Sequence, residues 1–357
     1  MAEYLEAAIT QLQREKSKPQ VAGRVFHEFA IFCDRQLNNQ SNIEDLEHAA
    51  KLREKKQAEL IEAEKQMQNM PKQSQNYQKL SKFKGEAQKW LSYDDIEYSR
   101  LKENHEAFLE KSIGNYLRCL EICDEYDRDA IRFCSLWLQY SKIEKANHPA
   151  AIFLNKVESR KFVPLMNQLS SRLMDQDDDF QGLLMSLILR ICRDHPYHGL
   201  YQILSMSMIA KSKNKDSSSQ SRASMAVKIA STLKQEGKFA GNIMIRLHQA
   251  IGIYIKVAIY KMDKNSSKKL AIRRAFPGER GLDGKLEKEI PSLKLPPPTM
   301  NIAVRHDCDY SDLPYLQRFN PEFAIAGGAS APKILTCHDS LGRSYKMLVS
   351  CSVLQFS

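Results

Sequence analysis

The chain lacks any apolar run long enough to cross a bilayer. The longest candidates, 182–191 and 251–260, are short and are interrupted by Arg190 and Lys256. No secretory signal opens it, since Met1-Ala2-Glu3-Tyr4-Leu5-Glu6 is acidic and amphipathic. It has no Gly-x-Ser-x-Gly elbow and no His-Glu-x-x-His helix, which argues against α/β-hydrolase and zinc-protease chemistry. The eight cysteines (Cys33, Cys119, Cys123, Cys134, Cys192, Cys308, Cys337 and Cys351) form no CxxC pair. Cys119 and Cys123 share a helix face at i, i+4. That spacing suits a metal, but no histidine pair lies nearby, so two small buried apolar residues are the better reading. Scattered free thiols fit a reducing compartment, cytosol or nucleus. Strand signals are absent from the first 210 residues.

Charge is concentrated in one stretch. Residues 211–300 hold 19 Lys and Arg against 7 Asp and Glu, an excess of +12. The whole chain carries +10, so the remainder is slightly acidic at −2. A basic segment suits either a nucleic-acid or acidic partner or a solvated linker. Aromatic residues are almost missing between the cations, which favours the linker and argues against direct nucleic-acid binding.

What fills residues 1–210 is helical periodicity. Tyr4, Leu5, Ala8, Ile9 and Leu12 make one apolar face, closed by Pro19, and Val25, Phe26, Phe29, Phe32 and Leu37 make the next. Residues 43–70 are rich in Glu, Lys, Gln and Ala, with sparse apolar positions at Leu46, Leu52, Leu60, Ile61 and Met67. Poor heptads favour an exposed antiparallel hairpin arm over a coiled coil, with the turn at 71–78. Leu109, Ile113, Tyr116, Leu117 and Leu120 form a clean stripe, and Ile131, Cys134, Trp137 and Leu138 form another. Further helices are expected over 162–174, 182–192 and 201–210. Their succession predicts an irregular α-solenoid of helical hairpins without a strict 34-residue period. A mobile polar loop is expected at 211–222, with helices at 226–235 and 243–262. In the latter, Ile245, Leu247, Ile251, Ile255 and Ile259 suit burial. A second loop is expected over 263–298.

The pattern changes near residue 299. The stretches around Phe323-Ala324-Ile325, Lys333–Cys337 and Ser344–Val349 read as strands. Between two of them lies Ala326-Gly327-Gly328-Ala329-Ser330-Ala331-Pro332. Glycines there let backbone N–H groups approach a phosphate, because no Cβ intervenes. The candidate phosphate-binding residues are therefore Gly327, Gly328, Ala329 and Ser330. Taken alone, a Gly-Gly is better read as a plain hairpin bend with a glycine bulge. Lys333 is a possible cation for the phosphates, but a solvent-facing lysine at a strand start is the preferred reading. His195 and His198, in Asp194-His195-Pro196-Tyr197-His198, resemble metal ligands only superficially. Pro196 breaks the helical spacing, so a helix end is expected there.

The glycine segment resembles the opening of the kinase domain in phosphatidylinositol 3-kinase-related protein kinases. Arg132-Phe133-Cys134-Ser135-Leu136-Trp137-Leu138, the segment Phe162-Val163-Pro164-Leu165-Met166, and Asp194–His198 are similar to parts of the helical FAT domain of that family. Pro298-Thr299-Met300-Asn301-Ile302-Ala303-Val304 resembles the first strand of its N-lobe. The similarity runs from about Tyr4 to Val349. It implies a mainly α protein: a FAT-type, TPR-like helical solenoid over 1–210, a basic linker with connecting helices over 211–298, and a partial, truncated α+β kinase N-lobe over 299–349. A divergent tail follows over 350–357. In the family the third strand ends in Leu-Val-Lys-Gly, and that lysine holds ATP; here Ser350 stands in its place. Met1 aligns inside the family's FAT domain, so a fragment cut at both ends is expected.

The resemblance further implies ATP and Mg²⁺ as cofactors of the full-length family, a nuclear Ser/Thr kinase acting on Ser/Thr-Gln sites in DNA damage signalling, protein partners on the solenoid and a possible homodimer. No membrane association is expected, and a cytoplasmic pool is compatible. Catalytic and metal-ligating residues are assigned nowhere in the chain, so it is expected to be inactive and to bind no cofactor tightly by itself. The alternative is a non-catalytic helical scaffold. An incompletely covered sheet would leave Ile325, Ile334, Leu335, Leu348 and Val349 short of full burial.

Overall fold

The computed structural model describes residues 4, 6–8, 11, 18–68, 70–209, 217–259, 269–275, 282–326 and 332–350. The expected first helix, with Leu5, Ile9 and Leu12, therefore lies largely outside the described residues, as do positions 260–262 and the tail after Ser350. The chain divides into two units, 1–158 and 159–357. The helical stretch expected over 1–210 thus spans both.

In the first unit, Pro19 sets the opening turn of α1 (Pro19–Leu37), where its missing N–H costs nothing. The charged segment forms α2 (Gln40–Gln68), and α3 (Gln75–Ile122) runs for 48 residues. Ser74 caps α3 by accepting a hydrogen bond from the Tyr77 amide at 3.1 Å. The predicted hairpin arm is thus present: α2 pairs with α3, and Ala49, Leu60, Ala63 and Ala87 are among the residues buried along it. The stripe Leu109, Ile113, Tyr116, Leu117 and Leu120 is fully buried, packed by α1 and by α5 (Glu144–Phe153). Gly23 permits the close approach of α1, since a Cβ there would stand 2.7 Å from the Cβ of Cys123. Cys119 and Cys123 are buried, as their apolar reading requires.

Helix α4 (Asp129–Gln139) corrects one expectation. Ile131 faces solvent, and the buried face is Ala130, Phe133, Cys134, Leu136 and Trp137. Trp137 fits there because its indole N–H reaches Asn147 Oδ1 at 2.9 Å, so the ring buries without an orphan donor.

The second unit begins with 3₁₀ turns at Ser159–Leu165 and α6 (Met166–Ser171), in place of the single helix expected over 162–174. Pro164 denies that stretch a continuous α-helical ladder. Then come α7 (Asp179–Asp194), α8 (Pro196–Ile209), α9 (Ser217–Glu236) and α10 (Phe239–Ile259). Helix α9 starts nine residues before the position expected. Ser221 and Ser224 dock it to the Asp175 backbone and carboxylate, so 217–222 is helix rather than loop. Along α10, Leu247 is buried as predicted, but Ile245 and Ile259 are exposed.

A five-stranded antiparallel sheet closes the unit: β1 (Lys269–Ala271), β2 (Leu316–Phe319), β3 (Glu322–Ile325), β4 (Lys333–Asp339) and β5 (Ser344–Val349). The path is β1-β3-β4-β2, with β5 on the other side of β4. One face packs on α10 and on a helical segment over 282–292, burying Ile253, Val257, Leu286, Phe323, Leu335, Met347 and Val349. The stretch 263–298 is therefore not simply a loop. The expected strand at 299–304 does not form, and β1 and β2 supply the neighbouring strands instead.

Candidate functional site

The site is the hairpin of β3 and β4, whose connection carries the glycines. Gly327, Gly328, Ala329 and Ser330 lie outside the described residues. Their anchors are described. Ala324 pairs with Ile334 and Ile325 with Lys333, and the Ala326 amide donates to the Pro332 carbonyl at 2.8 Å. That bond closes the loop at its base and fixes where its two ends leave the sheet.

Lys333 corrects the sequence reading. It is neither solvent-facing nor free for a phosphate: it is 2% exposed, and its Nζ donates to the carbonyl of Ala258 at 2.8 Å. The period of two explains this. Lys333, Leu335, Cys337 and Asp339 all face inward from β4, so the lysine follows the core face.

The opposite face is open. Ala324, Ile334 and Leu348 lie side by side across three strands, and Thr336 pairs with Lys346. Leu348 is 58% exposed and Ile334 is half-buried, as expected, whereas Leu335 and Val349 are fully packed. Ser350, which follows β5, is buried.

At the far end of β4 the chain turns through Asp339–Arg343. Asp339 Oδ1 accepts the amides of Leu341 and Arg343, each at 2.9 Å, while Oδ2 accepts the Tyr345 hydroxyl at 3.0 Å. Burial opposes the charge, but these donors outweigh it and hold the carboxyl below its ordinary range. Gly342 takes φ +81°, which a side chain would strain.

The residues Asp194–His198 act as a fastener. His195 caps α7, and its Nδ1 lies 2.7 Å from the Tyr310 hydroxyl. His198 Nε2 meets the Ile302 carbonyl at 2.9 Å. The helix-end reading holds, with an addition that local sequence does not carry: these histidines hold segment 302–310 against α7 and α8. Among the described residues no group of three His, Cys, Asp or Glu side chains is placed to ligate a metal.

No protein-family profile matches the chain. Comparison with curated proteins gives the serine/threonine-protein kinase tel1 of Emericella nidulans, 41% identical over 348 residues. The tel1 kinase of Aspergillus oryzae is 42% identical over 349 residues. Each match covers 97% of this chain and 12% of the relative. The serine-protein kinase ATM of Sus scrofa is 32% identical over 285 residues, covering 73% of this chain and 9% of that protein. Among solved structures, the open conformation of CtTel1 superposes with a TM-score of 0.85 at 37% identity, over 97% of this chain and 12% of that one. The FAT and kinase domain of CtTel1 gives 0.82 at 36%, over 97% and 22%. A complete CtTel1 dimer with C2 symmetry gives 0.83 at 36%, over 97% and 12%. The chain thus spans about an eighth of the length of the curated Tel1 relatives it matches.

Proposed function

Because the chain belongs to the Tel1/ATM family of serine/threonine protein kinases and matches its FAT and kinase region, we propose that it supplies a helical regulatory scaffold and the phosphate-covering part of a kinase N-lobe. In this reading Gly327, Gly328, Ala329 and Ser330 lie over the phosphates of ATP–Mg²⁺. The base of a nucleotide rests on the open sheet face at Ala324, Ile334 and Leu348. The reaction served is transfer of the γ-phosphoryl group to Ser or Thr followed by Gln, in nuclear DNA damage signalling. Such transfer is mostly positioning and charge stabilisation, and it needs a base on the hydroxyl, a cation on the phosphates and carboxylates on Mg²⁺. None of these roles is assigned to a residue of this chain.

The observation that carries the reading is the closed base of the glycine hairpin. Its two strands are registered residue by residue and packed on α10, so the loop has a rigid root. Self-association through the helical units and a nuclear location belong to the same proposal. The C2 dimer of CtTel1 supports the former.

Two measurements on the 357-residue chain test it. Millimolar ATP–Mg²⁺ should shift the amide resonances of Ala326 and Lys333 but not those of the Asp339–Arg343 turn. A phosphorylation assay on a Ser-Gln peptide should show no turnover. Shifts absent from the loop root would remove the nucleotide reading. Mg²⁺-dependent turnover would show that the chain holds catalytic groups this reading does not assign.

A further inference from the structure

A lysine ammonium taken out of water is costly unless something anionic receives it. Lys333 is such a group. It occupies the first position of β4, one residue outside the Ala326–Pro332 bond that closes the glycine loop. Its backbone is flanked on both sides, by Ile325 of β3 and Val349 of β5. Its side chain leaves the sheet on the α10 side, on the same buried face of β4 as Leu335. One acceptor is the Ala258 carbonyl, in the last described turn of α10.

An apolar side chain would fill the same inward position of β4 without the desolvation cost. What the ammonium adds is direction. Packing alone lets a strand end slide over a helix, whereas a charged hydrogen bond of 2.8 Å fixes one point to another. The two fixed points are the root of the loop and the last described turn of α10.

We propose that Lys333 is a positioning residue: it clamps the root of the glycine loop, at Ala326 and Pro332, to the last described turn of α10, so the placement of that root follows the placement of the helix. The phosphate-binding role of the loop is the reading given above, and this inference rests on it for its functional meaning. The clamp itself does not depend on it.

The test uses the whole chain and the variants Lys333→Met and Lys333→Arg. Methionine keeps much of the unbranched stem and removes the ammonium, so the core stays filled. In Lys333→Met the Ala326 amide should exchange with solvent about tenfold faster. Amides of the β4–β5 ladder at Cys337 and Tyr345 should be unchanged, and the melting temperature nearly so. Arginine keeps the charge and should restore protection at Ala326 in part. Unchanged exchange at Ala326 in a folded Lys333→Met protein would overturn the proposal. So would a uniform rise across the sheet, which a merely structural residue would give. Should that variant fail to fold, the wild-type protein decides. A clamped Lys333 gives a slowly exchanging ammonium resonance near neutral pH, and its absence would overturn the clamp. ATP–Mg²⁺ separates the two claims. If Ala326 responds to Lys333→Met but no nucleotide shifts the loop root, the clamp stands and the nucleotide reading falls.

Discussion

His195 and Tyr310 meet at 2.7 Å although 115 residues separate them, and both side chains are buried. The Tyr310 hydroxyl also accepts the Arg305 amide at 3.2 Å, which leaves its own hydrogen for donation to His195 Nδ1. The imidazole is then neutral, with Nδ1 accepting. Burial favours the same state and pushes the ring's pKa down to about 4, against the opposing pull of Asp194 and with the charge of Arg160 adding to it.

The sign of the pH dependence follows. Unfolded, His195 takes up a proton below its ordinary value of 6.5; folded, it resists until about 4. The unfolded state therefore binds more protons in that window, and stability is lost as pH falls through it. Urea melts should show the second unit losing on the order of 1–2 kcal/mol over that window, after allowance for solvent screening. Replacing His195 by Gln should flatten that slope. A slope equal in both proteins would place the proton uptake elsewhere.

Tyr310→Phe removes the donor to His195 and the acceptor for Arg305 while keeping the ring. The cost should be about 1–2 kcal/mol, because the buried His195 and the half-buried Arg305 amide each lose a hydrogen bond. Exchange should quicken first at the Arg305 amide.

Which parts of this were readable in advance has a physical pattern. The stripe Leu109 to Leu120 and strands β3 to β5 were legible because each is fixed by its own periodicity. The strand expected at 299–304 was not, because His198 and His195 take that segment from the sheet. Strand β1 is only three residues long and exists because β3 offers it an edge, so nothing local marks it. Lys333 was misread for a related reason. Residue type suggested solvent, whereas its place in the alternation of β4 put it in the core. The glycine loop was recognisable by composition and resemblance, while its anchoring to α10 depends on a contact across 75 residues.

The Asp339 turn offers a sharp comparison. Asp339→Ala would strand the amides of Leu341 and Arg343 and the Tyr345 hydroxyl, at a cost of roughly 2–3 kcal/mol. Gly342→Ala meets open space but is strained at φ +81°, and should cost about 1 kcal/mol. Because the carboxyl is held below its ordinary range, the contribution of Asp339 is present above the unfolded carboxylate pKa. It is lost as pH falls through the lower folded value. Denaturant melts of both variants give the ranking, and a larger loss in Gly342→Ala would reverse this account.

Gly241 should tolerate no side chain. A Cβ there would stand 2.4 Å from the carbonyl oxygen of Leu233, a backbone atom that cannot rotate away. Gly241→Ala must therefore open the α9–α10 junction, at about 1–3 kcal/mol or more. A melt within error of wild type would mean that the two helices shift freely.

The last prediction uses the two faces of β5. Leu348 and Val349 are adjacent, yet Leu348 is exposed while Val349 is buried against the α10 side of the sheet. Among the described residues no strand pairs with the outer edge of β5, so the exposed leucine lies on an open strand edge. Such edges associate, and a charge on them opposes it. Leu348→Lys should leave the melting temperature nearly unchanged and reduce concentration-dependent light scattering. Val349→Lys should instead cost several kcal/mol, about what burying an unpaired charge among aliphatic side chains demands. Equal losses in the two variants would mean that both side chains are packed. Scattering unchanged by Leu348→Lys would mean that the edge is not where copies of the chain meet.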